Sequence, residues 1–235
     1  MRGADARLKK AVIFDLGNTL VSYYSRQEFP VILREAIGNC REELTSKGIM
    51  IPDDQMVWLR VKEQDHGSPG NKVHPLSDRL STIFGVTDAT ILDELCIEFM
   101  KPIFRAARLH DDAKPTLKAL REIGVKTAIV SNTPWRSPAH LWRRELRRHG
   151  LSELVDTAVF CGDVGWRKPD PRIFQHTLDR LGLEAGDCLF VGDDPRWDID
   201  GPRALGMDAV LIDRTGRNLV AVHTLDCVIN IASKK

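Results

Sequence analysis

The sequence predicts an α/β fold: a doubly wound parallel sheet covered by helices on both faces, with a helical module inserted into it. Three observations carry this. From about Lys114 onward, short apolar runs alternate with amphipathic segments. Near the N-terminus, "KAVIFD" reads as one more strand of the same sheet. Between them, roughly residues 22 to 106 keep a helical period and contain no convincing strand. Strand, helix, strand in repetition is the pattern of parallel sheets buried on both faces.

In chain order, "AVIF" is the first strand, ending on Asp15 and a Gly-Asn-Thr turn. Four segments of helical period follow: "FPVILREAIGNCREELTSKG", "PDDQMVWLRVKEQDHG", "PLSDRLSTIFG" and "DATILDELCIEFMKPIFRAA". The clearest loop among them is "HGSPGNKVHP", residues 66 to 75. "PTLKALREIG" is a helix with Pro115 near its start and Gly124 just past its end. "VKTAIV" follows as a buried strand, "SPAHLWRRELRRHG" as a helix and "TAVFC" as a strand. In "DPRIFQHTLDRLG", Asp170 caps, Pro171 opens and Gly182 closes a helix. "CLFVG" is a strand, "DIDGPRALG" a short helix and "AVLID" the last strand. These elements divide the chain into a core of residues 1–21 with 107–235 and a helical insertion of residues 22–106.

Composition narrows the function classes. The chain has 235 residues, 43% hydrophobic and 29% charged, within the range of ordinary globular proteins. A formal net charge of +1 argues against a dedicated nucleic-acid binder. The five cysteines are scattered and form no C-x-x-C pair, which suits reduced thiols in a cytoplasm better than a disulfide framework. No apolar run approaches the ~18 residues that span a bilayer, and none resembles a signal peptide. The expectation is a cytoplasmic protein without nucleic-acid or membrane partners, a monomer or a homodimer.

Chemistry gathers at the strand ends. The first strand stops at Asp15, and "AIV" stops at Ser131 and Asn132. "VGWRKPDP" places Lys168 just before a helix, and "FVGDDPRWD" follows its strand with Asp193, Asp194 and Asp198. Ligands of open α/β sheets bind beyond the carboxyl ends of the strands, so parallel order converges these groups at one rim. Carboxylates, a hydroxyl and an ammonium suit a phosphate with a divalent cation. Mg²⁺ prefers oxygen ligands, lysine and hydroxyl groups can orient phosphoryl oxygens, and an aspartate beside them can act as a covalent nucleophile.

In this order "FDLGNTL", the helical insert, "IVSNT", "RKPDP" and "VGDDPRWDIDGPRALG" resemble the haloacid dehalogenase (HAD) superfamily, the subgroup with a helical cap inserted after the first motif. The resemblance spans the whole chain and implies a Rossmann-like core with a cap over residues 22–106. It implies a hydrolase that transfers a phosphoryl group from a small phosphorylated metabolite to Asp15. Asp15 is then nucleophile and magnesium ligand, with the Gly17 backbone carbonyl and Asp193 as further ligands to Mg²⁺. Ser131 and Asn132 match the phosphate-binding segment, and Lys168 holds nucleophile and phosphate together. Thr19, Asp194 and Asp198 support the site.

One position departs from the family pattern. Phosphatases of the family carry D-x-D-x-T, whereas this chain reads D-L-G-N-T, with Gly17 in place of the second aspartate. That aspartate protonates the leaving group and activates water, help worth about 10²–10⁴-fold in rate. Metal and phosphate binding should therefore survive, with slow turnover of alkyl phosphates unless another group substitutes. Asp65, His66 and His74 are candidates, and a good leaving group would need no acid. A binding protein without turnover is the alternative. Dehalogenation is a minor one, because dehalogenases of this group carry an aromatic residue where Gly17 stands. The arginines of "HLWRRELRRHG" read as a solvated helix face or, as a third function class, a docking surface for an anionic partner or a neighbouring subunit.

Overall fold

The computed structural model describes residues 8–25, 27–64 and 70–233. Its first strand, β1 (Ala11–Phe14), leads through a turn to the two-residue β2 (Val21–Ser22). Four helices follow: α1 (Phe29–Ser46), α2 (Asp54–Glu63), α3 (Leu76–Phe84) and α4 (Ala89–Ala106). The chain returns through β3 (Arg108–Leu109) to α5 (Ala113–Glu122), β4 (Lys126–Ser131), α6 (Ala139–Arg148) and β5 (Thr157–Phe160). Then come α7 (Cys161–Val164), α8 (Pro171–Leu181), β6 (Cys188–Gly192), α9 (Gly201–Ala204), β7 (Asp208–Leu211) and α10 (Asp226–Ser233).

Five strands form one sheet in the order β5-β4-β1-β6-β7, every neighbouring pair parallel. β1 is central because all four of its residues are fully buried, which only a strand covered on both faces allows. Its side chains alternate: Val12 and Phe14 join the hydrophobic cluster on one face, Ala11 and Ile13 that on the other. The chain leaves β1 for β4 and β5 on one side and comes back to β6 and β7 on the other. That reversal opens a crevice at the carboxyl end of β1.

The expected capping holds where the side chains allow it. The Asp170 carboxylate accepts the Arg172 N–H at 3.1 Å, Pro171 takes the first position of α8, and Gly182 closes it with φ 66°. α2 and α4 begin in the same way on Asp53 and Asp88. α1 and α3 pack on α4, so the inserted helices bury their apolar stripes against each other. The sequence did not reveal the antiparallel pair of β2 and β3, which joins Val21 to Leu109 and Ser22 to Arg108 at the root of the insertion. Two residues are too few to display a period of two. No described helix is long and apolar enough to cross a membrane.

Candidate active site

Register delivers the first carboxylate. Phe14 pairs with Ile129 of β4 and Val191 of β6, so Asp15 lies one step beyond both pairings, where its N–H still donates to the Val191 carbonyl at 2.8 Å. The side chain is 6% exposed. Lys168, 1% exposed, comes from the loop before α8 and donates three hydrogen bonds from Nζ. Its acceptors are Asp15 Oδ1 at 2.6 Å, Asp198 Oδ1 at 2.7 Å and the Val130 carbonyl at 2.9 Å. An ammonium has three donors, and all three are used. Asn132 fixes the lysine's backbone: its Oδ1 accepts the Lys168 N–H at 2.8 Å while its Nδ2 donates to the Lys168 carbonyl at 3.1 Å.

The loop after β6 supplies the other carboxylates. A π-helical turn, Pro195–Asp200, returns Asp198 towards the strand end. Asp194 anchors that turn, since its Oδ1 accepts the N–H groups of Arg196 and Trp197, both at 2.9 Å. Asp198 Oδ2 accepts the Asp194 N–H at 3.1 Å, so both Asp198 oxygens have partners. Gly192 permits this approach; a Cβ there would stand 2.4 Å from Asp198 Cβ. Asn18, at φ 55°, donates from Nδ2 to Asp193 Oδ2 at 3.1 Å. A short polar side chain tolerates that left-handed conformation.

Asp15, Asp193 and Asp198 each place one carboxylate oxygen within 4.8 Å of the others. Burial raises the pKa of all three; Asp193 and Asp198 reach about 6. The Asp198 charge adds to the rise at Asp193, and the Asp15 charge to that at Asp198. Burial alone would lower Lys168, yet Asp15 and Asp198 together hold it above the ordinary ammonium range, so it stays charged. Three carboxylates facing one ammonium leave a net negative site. Oxygen donors in that arrangement fit a hard divalent cation.

Two cavities meet this rim. A chamber of about 150 Å³ is lined by Gly17, Asn18, Ser131 and Asn132, with Tyr23 and Tyr24 among its walls. A cleft of about 1090 Å³ reaches from Asn18 and Asp193 past Tyr24 and His110 to Trp197 and Arg214. Ser131, 4% exposed, donates to the Asn132 carbonyl at 3.1 Å. Thr19 is fully buried; its carbonyl accepts from Arg214 at 2.6 Å, and its hydroxyl has no hydrogen-bond partner. Of the expected site residues, Asp15, Lys168, Asp193 and Asp198 come together at this rim, and Gly17, Ser131 and Asn132 line the chamber beside it. His74 lines neither cavity, and Asp65 and His66 lie outside the described residues. Trp197 is a cleft wall, whereas Trp166 stacks under Arg172 at 3.4 Å.

Sequence reasoning missed Tyr23, Tyr24 and His110. The Tyr23 hydroxyl is buried without a hydrogen-bond partner, and burial pushes its pKa well above the usual phenol. Burial, then the Arg214 charge, lowers the pKa of His110. The aromatic pair directly after the first motif was a readable signal; His110 had none, because β3 alone brings it back to Leu20.

Known proteins share this layout. The model of a hydrolase family, haloacid dehalogenase-like hydrolase, matches residues 9–206. A Mycobacterium tuberculosis protein, phosphatase MT3486, is 30% identical over 217 residues, 88% of each chain. (S)-2-haloacid dehalogenase 4A of Burkholderia cepacia is 31% identical over 219 residues, 88% of this chain and 84% of its own. Among solved structures, a HAD phosphatase from Thermococcus onnurineus superposes with a TM-score of 0.67 at 27% identity, covering 94% of this chain and 97% of that one. With the five-stranded parallel sheet, the strand-end carboxylates and a family match over most of its length, this chain belongs to the haloacid dehalogenase-like hydrolases.

Proposed function

We propose that this protein is a magnesium-dependent phosphatase-type hydrolase for a small phosphorylated metabolite, with Asp15 as nucleophile. The observation that carries the reading is the Lys168 ammonium clamped between Asp15 and Asp198 at 2.6 and 2.7 Å, beside a chamber of phosphate size. Relatives named as phosphatases support it, among them a phosphoserine phosphatase of Thermus thermophilus that is 32% identical over 120 residues.

Asp15 is held by its backbone and by Lys168, so its second oxygen is oriented without further ordering. That oxygen attacks phosphorus, the ester oxygen departs, and an aspartyl-phosphate forms that water later opens. Ser131 offers its hydroxyl to a phosphoryl oxygen. Asn132 serves the same group indirectly, since both ends of its amide are committed to the Lys168 backbone. Asp15, Asp193 and the Gly17 carbonyl would hold Mg²⁺, which when bound neutralises phosphoryl charge. Asp198 holds the lysine and Asp194 holds the turn. Helices α1–α4, the insertion of residues 22–106, act as a cap that excludes water and selects the substrate.

Gly17 carries no acid, so the reading favours substrates whose leaving group departs unaided, such as acyl or aryl phosphates. Burst kinetics with acetyl phosphate and p-nitrophenyl phosphate in Mg²⁺ test it. A burst of leaving group, p-nitrophenolate or acetate, with the phosphoryl group retained on Asp15, is expected; Asp15→Asn abolishes it, and it is larger for the better leaving group. Magnesium-dependent binding of phosphate without release of leaving group or phosphate would establish a silent binding protein instead, and release of halide from a 2-haloacid would establish the dehalogenase.

A further inference from the structure

Beside the chamber lies a second cavity of about 250 Å³ that shares Tyr24, Asn132 and Pro134 with it and adds Arg136, Arg167 and Trp197. Its unusual feature is Arg167. The guanidinium is partly buried, its Nε is buried without a hydrogen-bond partner, and no carboxylate among the described residues pairs with it. Burial and the neighbouring Arg196 charge both lower its pKa, and only the Cys161 thiol works against them. An uncompensated guanidinium away from water is costly unless a ligand supplies the counter-charge.

The position of Arg167 is imposed rather than incidental. Its N–H donates to the Asn71 carbonyl at 2.9 Å, and the Val73 N–H donates to the Gly165 carbonyl at 2.9 Å. The segment between α2 and α3 is thereby stitched to the loop that carries Lys168. On the opposite side, Trp135 and Arg136 hold φ of 49° and 55°, a conformation bulky residues seldom adopt. The strain places Arg136, 8% exposed, on the same cavity. Tyr24 and Trp197 add aromatic walls, which suit a flat group.

We propose that this cavity is a substrate subsite: Arg167 grips a second anionic group, a carboxylate or phosphate, on the leaving group of a phosphate ester whose planar stem lies along Tyr24 and Trp197. A guanidinium fork matches both anions, often in bidentate fashion. The substrate class is then a phosphorylated aromatic or enolic acid, or a bisphosphate of similar span. The proposal rests on the phosphoryl-transfer reading above.

Calorimetry on the wild-type protein in Mg²⁺, with phosphonates that cannot turn over, separates the two. 4-Carboxybenzylphosphonate should bind at least ~10-fold more tightly than benzylphosphonate. Arg167→Gln should bring that ratio close to one, and Arg167→Lys, which keeps the charge but not the fork, should retain part of it. Replacing the carboxylate by a second phosphonate tells which anion the subsite prefers. Equal binding of the carboxylated and plain compounds, or an unchanged ratio in a folded Arg167→Gln, overturns the subsite and leaves the phosphatase reading standing. If benzylphosphonate fails to bind while 4-methylbenzoate binds and loses affinity in Arg167→Gln, the anion site is real and the phosphatase reading fails.

Discussion

A Cβ built on Gly17 would meet no atom within 4 Å, and the residue's φ lies outside the left-handed region. The backbone thus accepts a side chain here, and the missing carboxylate is a matter of chemistry, not of space. Gly17→Asp should fold normally and raise turnover of alkyl phosphates by about 10²–10⁴-fold, because it restores acid–base help at the leaving oxygen. Acetyl phosphate, whose leaving group needs no proton, should gain only through the faster opening of the aspartyl-phosphate by water. Steady-state phosphate release measures both, and no gain with either in a variant that still binds phosphate would mean that another group already moves the proton. The site's carboxylates and lysine were legible in the sequence because each ends a strand or opens a helix at a motif position. His110 was not, since only the pairing of β3 with β2 brings it back beside Leu20.

At the scale of elements, α6 shows how one arginine-rich helix divides its charges. Arg148 donates to both oxygens of Glu145, at 2.8 and 2.7 Å, and to the Phe104 carbonyl at the end of α4. Glu145 is only 3% exposed, and its remaining partner is His149 Nε2, 3.0 Å from Oε1. Arg143 pairs with Asp163 at 2.8 Å, whereas Arg144 and Arg147 are exposed. Removing one partner of a buried pair costs about 3–5 kcal/mol, but Arg148 is half exposed, which lowers the expectation to about 1–3 kcal/mol. Arg148→Ala should therefore destabilise clearly in denaturant melts, and Arg144→Ala should stay within about 0.5 kcal/mol of wild type. Equal midpoints for the two would show that His149 is partner enough for Glu145. Most elements were readable because glycine, proline and aspartate punctuate long periods, as at Asp170, Pro171 and Gly182. The strands β2 and β3 were unreadable because they are short and exist only through each other, with 87 residues between the paired Val21 and Leu109.

For the whole molecule, the carboxylate cluster couples folding, pH and metal. An unfolded aspartate titrates near 3.8, whereas Asp193 and Asp198 titrate near about 6 when folded, chiefly because burial disfavours their charge. Between those values the folded state binds more protons than the unfolded one. Stability from these groups therefore falls as pH rises through that window, and above it the full penalty is present. On the proposed reading Mg²⁺ would take the deprotonated carboxylates and offset their repulsion, so its stabilising effect should be large at pH 7.5 and small at pH 5, where protons compete. At about 100 times the dissociation constant the ion contributes about 2.7 kcal/mol, or roughly 5–10 °C in Tm for a chain of this size. Asp193→Asn removes one charge and one proposed metal ligand together. It should raise the metal-free Tm at pH 7.5 while shrinking the Mg²⁺ increment. Thermal melts with and without Mg²⁺ at the two pH values measure both effects, and comparison within one pH cancels carboxylates elsewhere, such as Asp213, held down at about 2 by hydrogen bonds from Thr215 and its neighbours. An increment equal at both pH values, or one that survives intact in Asp193→Asn, would place the cation elsewhere on the molecule and separate the carboxylates from its binding.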